Sequence, residues 1–195
     1  MIIPPSTAEE IRARLDAYRR VPNESRGLRS AAVLIPLFFR DDSFHLLLTS
    51  RAEEVEHHKG QMSFPGGATD PGDADPVATA LREAEEEIGL PRASVEVLGV
   101  LSDLPIPTGF NITPVVGFIS SLPALRPHAA EVSEVVVVPL AFFLDEANVR
   151  TSLRERNGIL YTIYSYPFGG HDIWGATAVI IRMFVDALVP LAEER

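Results

Sequence analysis

Glu83, Glu86 and Glu87 fall at i, i+3 and i+4, the spacing that puts side chains on one face of an α-helix. At about 100° per residue they share an arc of roughly 100°, while Glu85 points away. Such a face repels itself, and it lies toward the end of its helix where the macrodipole already disfavours anions. Only Arg82 is at hand to offset it. A solvated charged face is the plain alternative, yet a local rule broken this way points to a site. The natural missing partner is a hard divalent cation. Mg2+ takes carboxylate oxygens, waters and substrate phosphate oxygens rather than an all-protein cage. Glu83, Glu86 and Glu87 are therefore candidate metal ligands, forming a preorganised half-shell with the other half left for substrate.

The helix that must carry these acids is well punctuated. Asp75 reads as an N-cap followed by Pro76 at the first helical position, and Gly89 as the stop, which predicts a helix over Pro76–Ile88. Val77, Leu81, Ala84 and Ile88 form its packing face. Before it, Ser50–Asp75 reads as a long loop in which Gly66-Gly67 permits close backbone approach to a ligand. This is not a P-loop, because Gly-x4-Gly-Lys-Ser/Thr is absent and aspartates follow.

Around this segment, Thr7-Ala-Glu-Glu10 reads as a capping box opening a helix over Thr7–Arg20. Ala31–Arg40 and Phe44–Thr49 read as a β-hairpin split at Asp41-Asp42-Ser43. Further strands are expected at Val95–Leu101, Thr113–Ile119, Val132–Val138, Arg150–Glu155 and Leu160–Tyr166, with a closing helix over Ala176–Leu188. The irregular alternation predicts an α/β or α+β sandwich around a mixed sheet, in one domain spanning 1–195.

The composition removes several function classes. With 17 Lys+Arg against 27 Asp+Glu the formal charge is −10, which argues against nucleic-acid binding by phosphate neutralisation and against docking on an anionic membrane. The absence of cysteine excludes a disulfide scaffold, a thiol nucleophile, Cys-ligated zinc and iron–sulfur clusters. No apolar run approaches the ~20 residues of a spanning helix, and Met1-Ile-Ile-Pro-Pro5 lacks the features of a signal peptide, so a cytoplasmic protein is expected. The acidity is concentrated, with seven acids against Arg82 alone between Asp70 and Glu87.

Gly67 followed by Arg82-Glu-Ala-Glu-Glu-Glu-Ile-Gly-Leu90 closely resembles the Nudix box, Gly-x5-Glu-x7-Arg-Glu-U-x-Glu-Glu-x-Gly-U with U aliphatic. The helical half matches throughout, with Ala84 at the aliphatic position. The loop half is one residue longer, and the first acid becomes Asp73 counted forward from Gly67 or Ala74 counted back from Arg82. Leu47-Leu-Thr-Ser-Arg51, Gly60 and Phe64-Pro-Gly-Gly67 resemble the additional motif of coenzyme A pyrophosphatases, with Ala52 in place of a Ser and Glu56 in place of a second Arg. His58-Lys59-Gly60-Gln61, Thr113–Gly117 and Ile173–Thr177 look like that branch too. The resemblance covers roughly Ala31 to Phe184 and implies a Nudix-type α/β/α sandwich with the acidic helix beside the cleft.

The resemblance further implies Mg2+- or Mn2+-dependent hydrolysis of a nucleoside diphosphate linked to another group. In the coenzyme A branch the products are 3′,5′-ADP and 4′-phosphopantetheine. ADP-ribose, NADH or a dinucleoside polyphosphate are alternative substrates, and a non-catalytic nucleotide-binding regulator is an alternative of another class. Arg82 is expected to orient the carboxylates or tie down the loop. Glu131 and Glu134 are candidate general bases, with Glu86 as a competitor. The only lysine, Lys59, stands with Arg51, His57 and His58 in a basic cluster before Phe64-Pro-Gly-Gly67; Arg51, His58, Lys59, Gly66 and Gly67 are the candidate substrate contacts. Trp174 and Phe110 are aromatic candidates for stacking on adenine, with core packing as the alternative. Arg150, Arg154 and Arg156 alternate along one strand face and are most simply solvent-exposed.

Overall fold

Burial on both faces of a sheet is written into the central strands. Leu34 and Ile35 are each fully buried, as are Leu46, Leu47 and Leu48. Neighbours in a strand point to opposite faces, so such runs require layers above and below. The computed structural model describes residues 5–23, 27–51, 61–156 and 158–189. It begins with helix α1 (Ala8–Ala17), the hairpin β1 (Arg29–Arg40) and β2 (Ser43–Arg51), and the short strands β3 (Met62–Ser63) and β4 (Gly66–Ala68). Helix α2 (Pro76–Ile88) follows, then β5 (Glu96–Val100), β6 (Leu104–Pro105), β7 (Phe110–Ile119) and β8 (Val132–Pro139). The remainder is α3 (Leu140–Leu144), β9 (Arg150–Arg156), β10 (Ile159–Phe168), β11 (His171–Trp174) and α4 (Ala176–Leu188).

The main sheet runs β3-β2-β1-β7-β5, with β4 paired to β1, β6 to β7 and β8 to β2. It is mixed: β1 and β7 are parallel from Arg29↔Phe110 to Phe38↔Ile119, and the hairpin is antiparallel. Leu34, Leu47 and Val115 pack on Ala80, Ala84 and Ile88 of α2. Ile35, Leu46, Leu48 and Val116 face the other way, into a core with Ile11, Ile180 and Phe184 from α1 and α4. This is the expected α+β sandwich. A second sheet, β11-β10-β9, is antiparallel throughout.

Several boundaries moved for identifiable reasons. The first helix stops at Ala17, three residues before the expected Arg20. Tyr18 is extended there, and its hydroxyl lies 2.7 Å from Ser102 Oγ, which fixes the chain to the end of β5. Thr7 caps the helix by accepting from the Glu10 amide at 3.1 Å, but the Glu10 carboxylate reaches back to the Ser6 amide rather than to Thr7. The hairpin turn uses Asp41 and Asp42 at φ 50° and 58°, the conformation of a type I′ turn. The expected Ser50–Asp75 loop contains two strands, β3 and β4, and the short β11 was not foreseen.

Candidate active site

Helix α2 has the bounds its caps predict. Asp75 accepts from the Ala78 amide at 2.8 Å, and Gly89 closes the other end at φ 67° with its amide bonded to Glu85 O. Thr79, Ala80, Ala84 and Ile88 are buried against the sheet, with Val77 and Leu81 partly buried beside them. The last turn then receives donors from a distant loop. The Arg126 amide bonds Ile88 O and the His128 amide bonds Glu87 O, both at 2.8 Å. Helix carbonyls that would otherwise lack partners thereby anchor the loop that carries Glu131.

Arg82 is the organiser. Its Nε donates to Asp73 Oδ1 at 3.1 Å, and Nη2 donates to Asp73 Oδ2 and Ala68 O, both at 2.9 Å. Nη1 donates to Glu83 Oε1 and Glu86 Oε2, both at 2.9 Å. A guanidinium has five N–H donors, and these contacts use them all. Asp73 also accepts from the Asp70 amide and the Thr79 hydroxyl. The Arg82 hydrogen bonds hold its carboxyl far below the ordinary range. Of the two readings of the loop acid, the geometry selects Asp73: the longer loop brings a side chain one methylene shorter than Glu to the guanidinium.

Glu83 and Glu87 are brought to strand β4. Glu87 Oε2 accepts from the Gly66 amide at 3.4 Å. The Glu83 carboxylate lies so close to Gly67 that a Cβ there would stand 2.5 Å from Oε1. Burial pushes the Glu87 carboxyl up to about 7; the Arg51 charge opposes this, and the charges of Glu83 and Glu131 add to it. Burial likewise raises Glu83, against its bond to Arg82. Glu86 is more open, with 59% of its side chain exposed. Among the described residues no three acids or histidines are gathered closely enough to enclose an ion. Arg82 holds Glu83 and Glu86 by hydrogen bonds to their carboxylates. The donor chemistry nevertheless fits a hard divalent cation. Buried, mutually repelling carboxylates are compensated here only in part by Arg82, Arg51 and one amide.

The two candidate bases are separated. Glu131 lies beside the acidic helix, where its charge acts on both Glu83 and Glu87, and its Oε1 is 3.2 Å from His128 Nδ1. Glu134, opposite Ser50 on β8, is turned toward β11, with Oε2 3.4 Å from His171 Nε2. Arg51 ends β2, opposite Val132. His58 and Lys59, with Ala52, Glu56 and His57, lie outside the described residues. Phe110 is half-buried under the Arg29 guanidinium, 5.0 Å from its ring centre, whereas Trp174 is on the surface, 45% exposed. Arg150 and Arg154 are exposed as expected. The His128 loop was missed: its link to the helix is backbone to backbone, which leaves no mark in residue type.

Gly66 and Gly67 separate fold from site experimentally. A methyl at Gly66 would overlap Ala32 O and come within 2.6 Å of Val33 Cα, so Gly66→Ala should destabilise the protein by about 1–3 kcal/mol, the usual cost of overpacking. The three atoms nearest a methyl at Gly67 all belong to the Glu83 carboxylate, the movable end of a side chain. Gly67→Ala should therefore melt near the wild-type temperature yet bind Mg2+ and Mn2+ more weakly, as thermal denaturation and metal-titration calorimetry would read.

The comparisons place this mixed sheet between helical layers in a known family. The NUDIX domain model matches residues 28–156, and the chain belongs to the Nudix hydrolase family. It is 41% identical over 154 residues to the uncharacterized Nudix hydrolase NudL of Photorhabdus laumondii, covering 79% of this chain and 82% of that one. Against NudL of Yersinia pestis the identity is 40%, over 79% and 77% of the two chains. Among solved structures, a NUDIX hydrolase from Alicyclobacillus acidocaldarius superposes with a TM-score of 0.54 at 19% identity, covering 84% of this chain and 93% of that one. A MutT/nudix family protein from Enterococcus faecalis gives 0.51 at 17%, over 94% and 75%. These two likenesses speak for the fold alone. Nudix hydrolases generally use divalent metals such as Mg2+ or Mn2+. No helix among the described residues is long and apolar enough to cross a membrane.

Proposed function

We propose that this protein is a divalent-metal-dependent diphosphatase of coenzyme A or its derivatives, releasing 3′,5′-ADP and 4′-phosphopantetheine. One observation carries the reading. The segment resembling the coenzyme A pyrophosphatase motif ends in Arg51, whose charge acts directly on Glu87, and resumes at Phe64-Pro65-Gly66-Gly67, which meets Glu83 and Glu87. The motif-like segment and the acidic helix thus lie next to one another.

A diphosphate resists attack because its oxygens and its leaving group are negative. The chemistry supplied by bound Mg2+ or Mn2+ is neutralisation of those oxygens and acidification of a water. Glu83, Glu86 and Glu87 are the residues that would hold it. Arg82 holds Glu83 and Glu86 through Nη1, and Asp73 holds Arg82. Glu131, set beside the helix by the His128 loop, is the group we assign to accept the proton of the attacking water. Arg51 would meet the diphosphate, since a guanidinium suits phosphate oxygens.

A substrate panel tests this directly. Specificity constants for coenzyme A, ADP-ribose, NADH and a dinucleoside tetraphosphate should rank coenzyme A first by roughly tenfold or more, about 1.4 kcal/mol of transition-state binding. Another substrate ranking first would overturn the coenzyme A reading and keep the hydrolase. No turnover of any would favour a binding regulator.

A further inference from the structure

The second sheet has a face that the active-site chemistry does not use. Across β9, β10 and β11 the register aligns Arg150, Ser165 and Trp174 in one row, with Arg154 opposite Tyr161 further along. Residues directly opposite one another share a face, and faces alternate along a strand. Tyr166 and Ile173 therefore point the other way, and they are 1% and 0% exposed in the core. Trp174, Tyr161, Arg150 and Arg154 share the outer face and remain open to solvent. Leu153 and Leu160, also exposed, lie on the opposite face and do not account for it. Among the described residues neither arginine has a carboxylate partner.

Two arginines without a carboxylate partner among the described residues share this face with two open aromatic rings, in a chain of net charge −10, and complement a ligand that is both anionic and aromatic. Aromatic rings stack on bases irrespective of sequence, and guanidinium groups take phosphate oxygens in a bidentate fork. The row also has a suitable span. Arg150 and Trp174 are two strand spacings apart, about 10 Å between backbones, a gap that a base and a ribose phosphate can bridge given the length of the arginine.

The end of β11 lies beside the chain that leads from Arg51 into β3. Gly175, next to Trp174, lies against the Gln61 amide, and Gln61 O accepts from the Arg51 amide at 3.2 Å. The Thr177 hydroxyl donates to Met62 O at 3.0 Å. Strand β11 is thus seated beside Gln61 and Met62, the residues that follow on from the Arg51 end of β2.

We infer that the outer face of β9-β10-β11 is a nucleotide platform, with the purine base of the substrate stacked on Trp174 and a phosphate outside the scissile diphosphate held by Arg150. The inference rests on the diphosphatase reading and adds to it the residues that select the nucleotide half.

Trp174 is the only tryptophan, so its fluorescence reports on the platform without turnover. Titrating the protein with 3′,5′-ADP in the absence of added metal should give saturable quenching. Arg150→Ala should weaken it roughly tenfold, the worth of about 1.4 kcal/mol, and 5′-AMP should bind more weakly than 3′,5′-ADP. In turnover, Trp174→Ala should raise KM for coenzyme A with kcat nearly kept, and Trp174→Phe should restore KM. Glu83→Gln should lose turnover and keep the quenching. That split separates the two ideas: saturable quenching without turnover of any substrate would condemn the hydrolase reading alone. Quenching that never saturates, or an unchanged KM in Trp174→Ala, would overturn the platform. So would fluorescence that follows protein concentration and sedimenting mass instead of nucleotide, which would make the face a contact between copies of this chain.

Discussion

Arg82→Ala is expected to cost about 3–5 kcal/mol of folding stability, the range for breaking a buried ion pair by removing one partner. The Arg82 side chain is 13% exposed, and its loss would leave Asp73 at 5% and Glu83 at 16% without their cation. For a chain of this size the melting temperature should fall on the order of 10 °C. Arg82→Lys should recover only part of the loss, because an ammonium has three donors where the guanidinium uses five. The pH dependence carries a second signature. The folded Asp73 carboxyl is held below its ordinary value, so its stabilisation is complete above the unfolded value of about 4 and is lost as pH falls below it. Thermal melts from pH 7 down to pH 3 should therefore show a steeper loss in the wild type than in Arg82→Ala.

Glu87→Gln should have the opposite profile: folding kept, activity lost. The buried carboxylate faces Glu83 and Glu131, and burial pushes its carboxyl up to about 7. For an acid with a raised folded value, stability falls as pH rises from the unfolded value toward the folded one, because the folded state resists ionisation. A neutral amide of the same shape removes that burden. Metal-free Glu87→Gln should therefore melt at or above the wild-type temperature near pH 8. Its kcat should nonetheless drop roughly 10²–10³-fold, the scale for losing one electrostatic group that stabilises developing charge. Stability gained where function is lost marks a residue kept for its chemistry.

The site was legible in the sequence wherever side chains carry the information. Asp75, Pro76 and Gly89 fix the bounds of α2 to the residue, because capping is a property of residue type at a given place. The Arg82–Glu87 spacing fixes which carboxylates share a face. Asp73 and Ala74 were both open by counting, and only the closed guanidinium network distinguishes them. Gly66-Gly67-Ala68 has no apolar alternation, so residue type alone predicts a loop there; it is a strand by virtue of its backbone pairing with Ala31, Ala32 and Val33. Glu131 and Glu134 look alike in sequence. They part because one sits on the loop bonded to the end of α2, while the other has entered β8 and faces β11. Trp174 could have been core until β11 was seen, since its orientation depends on the pairing of four residues with β10.

The most direct test of the account is the mass-resolved product spectrum of coenzyme A incubated with the protein and Mg2+, run beside Glu87→Gln. The wild type should yield 3′,5′-ADP and 4′-phosphopantetheine in equal amounts, with nothing formed when EDTA removes the metal, and the variant should yield little of either. Intact coenzyme A after incubation with wild type, or equal product from Glu87→Gln, would contradict it.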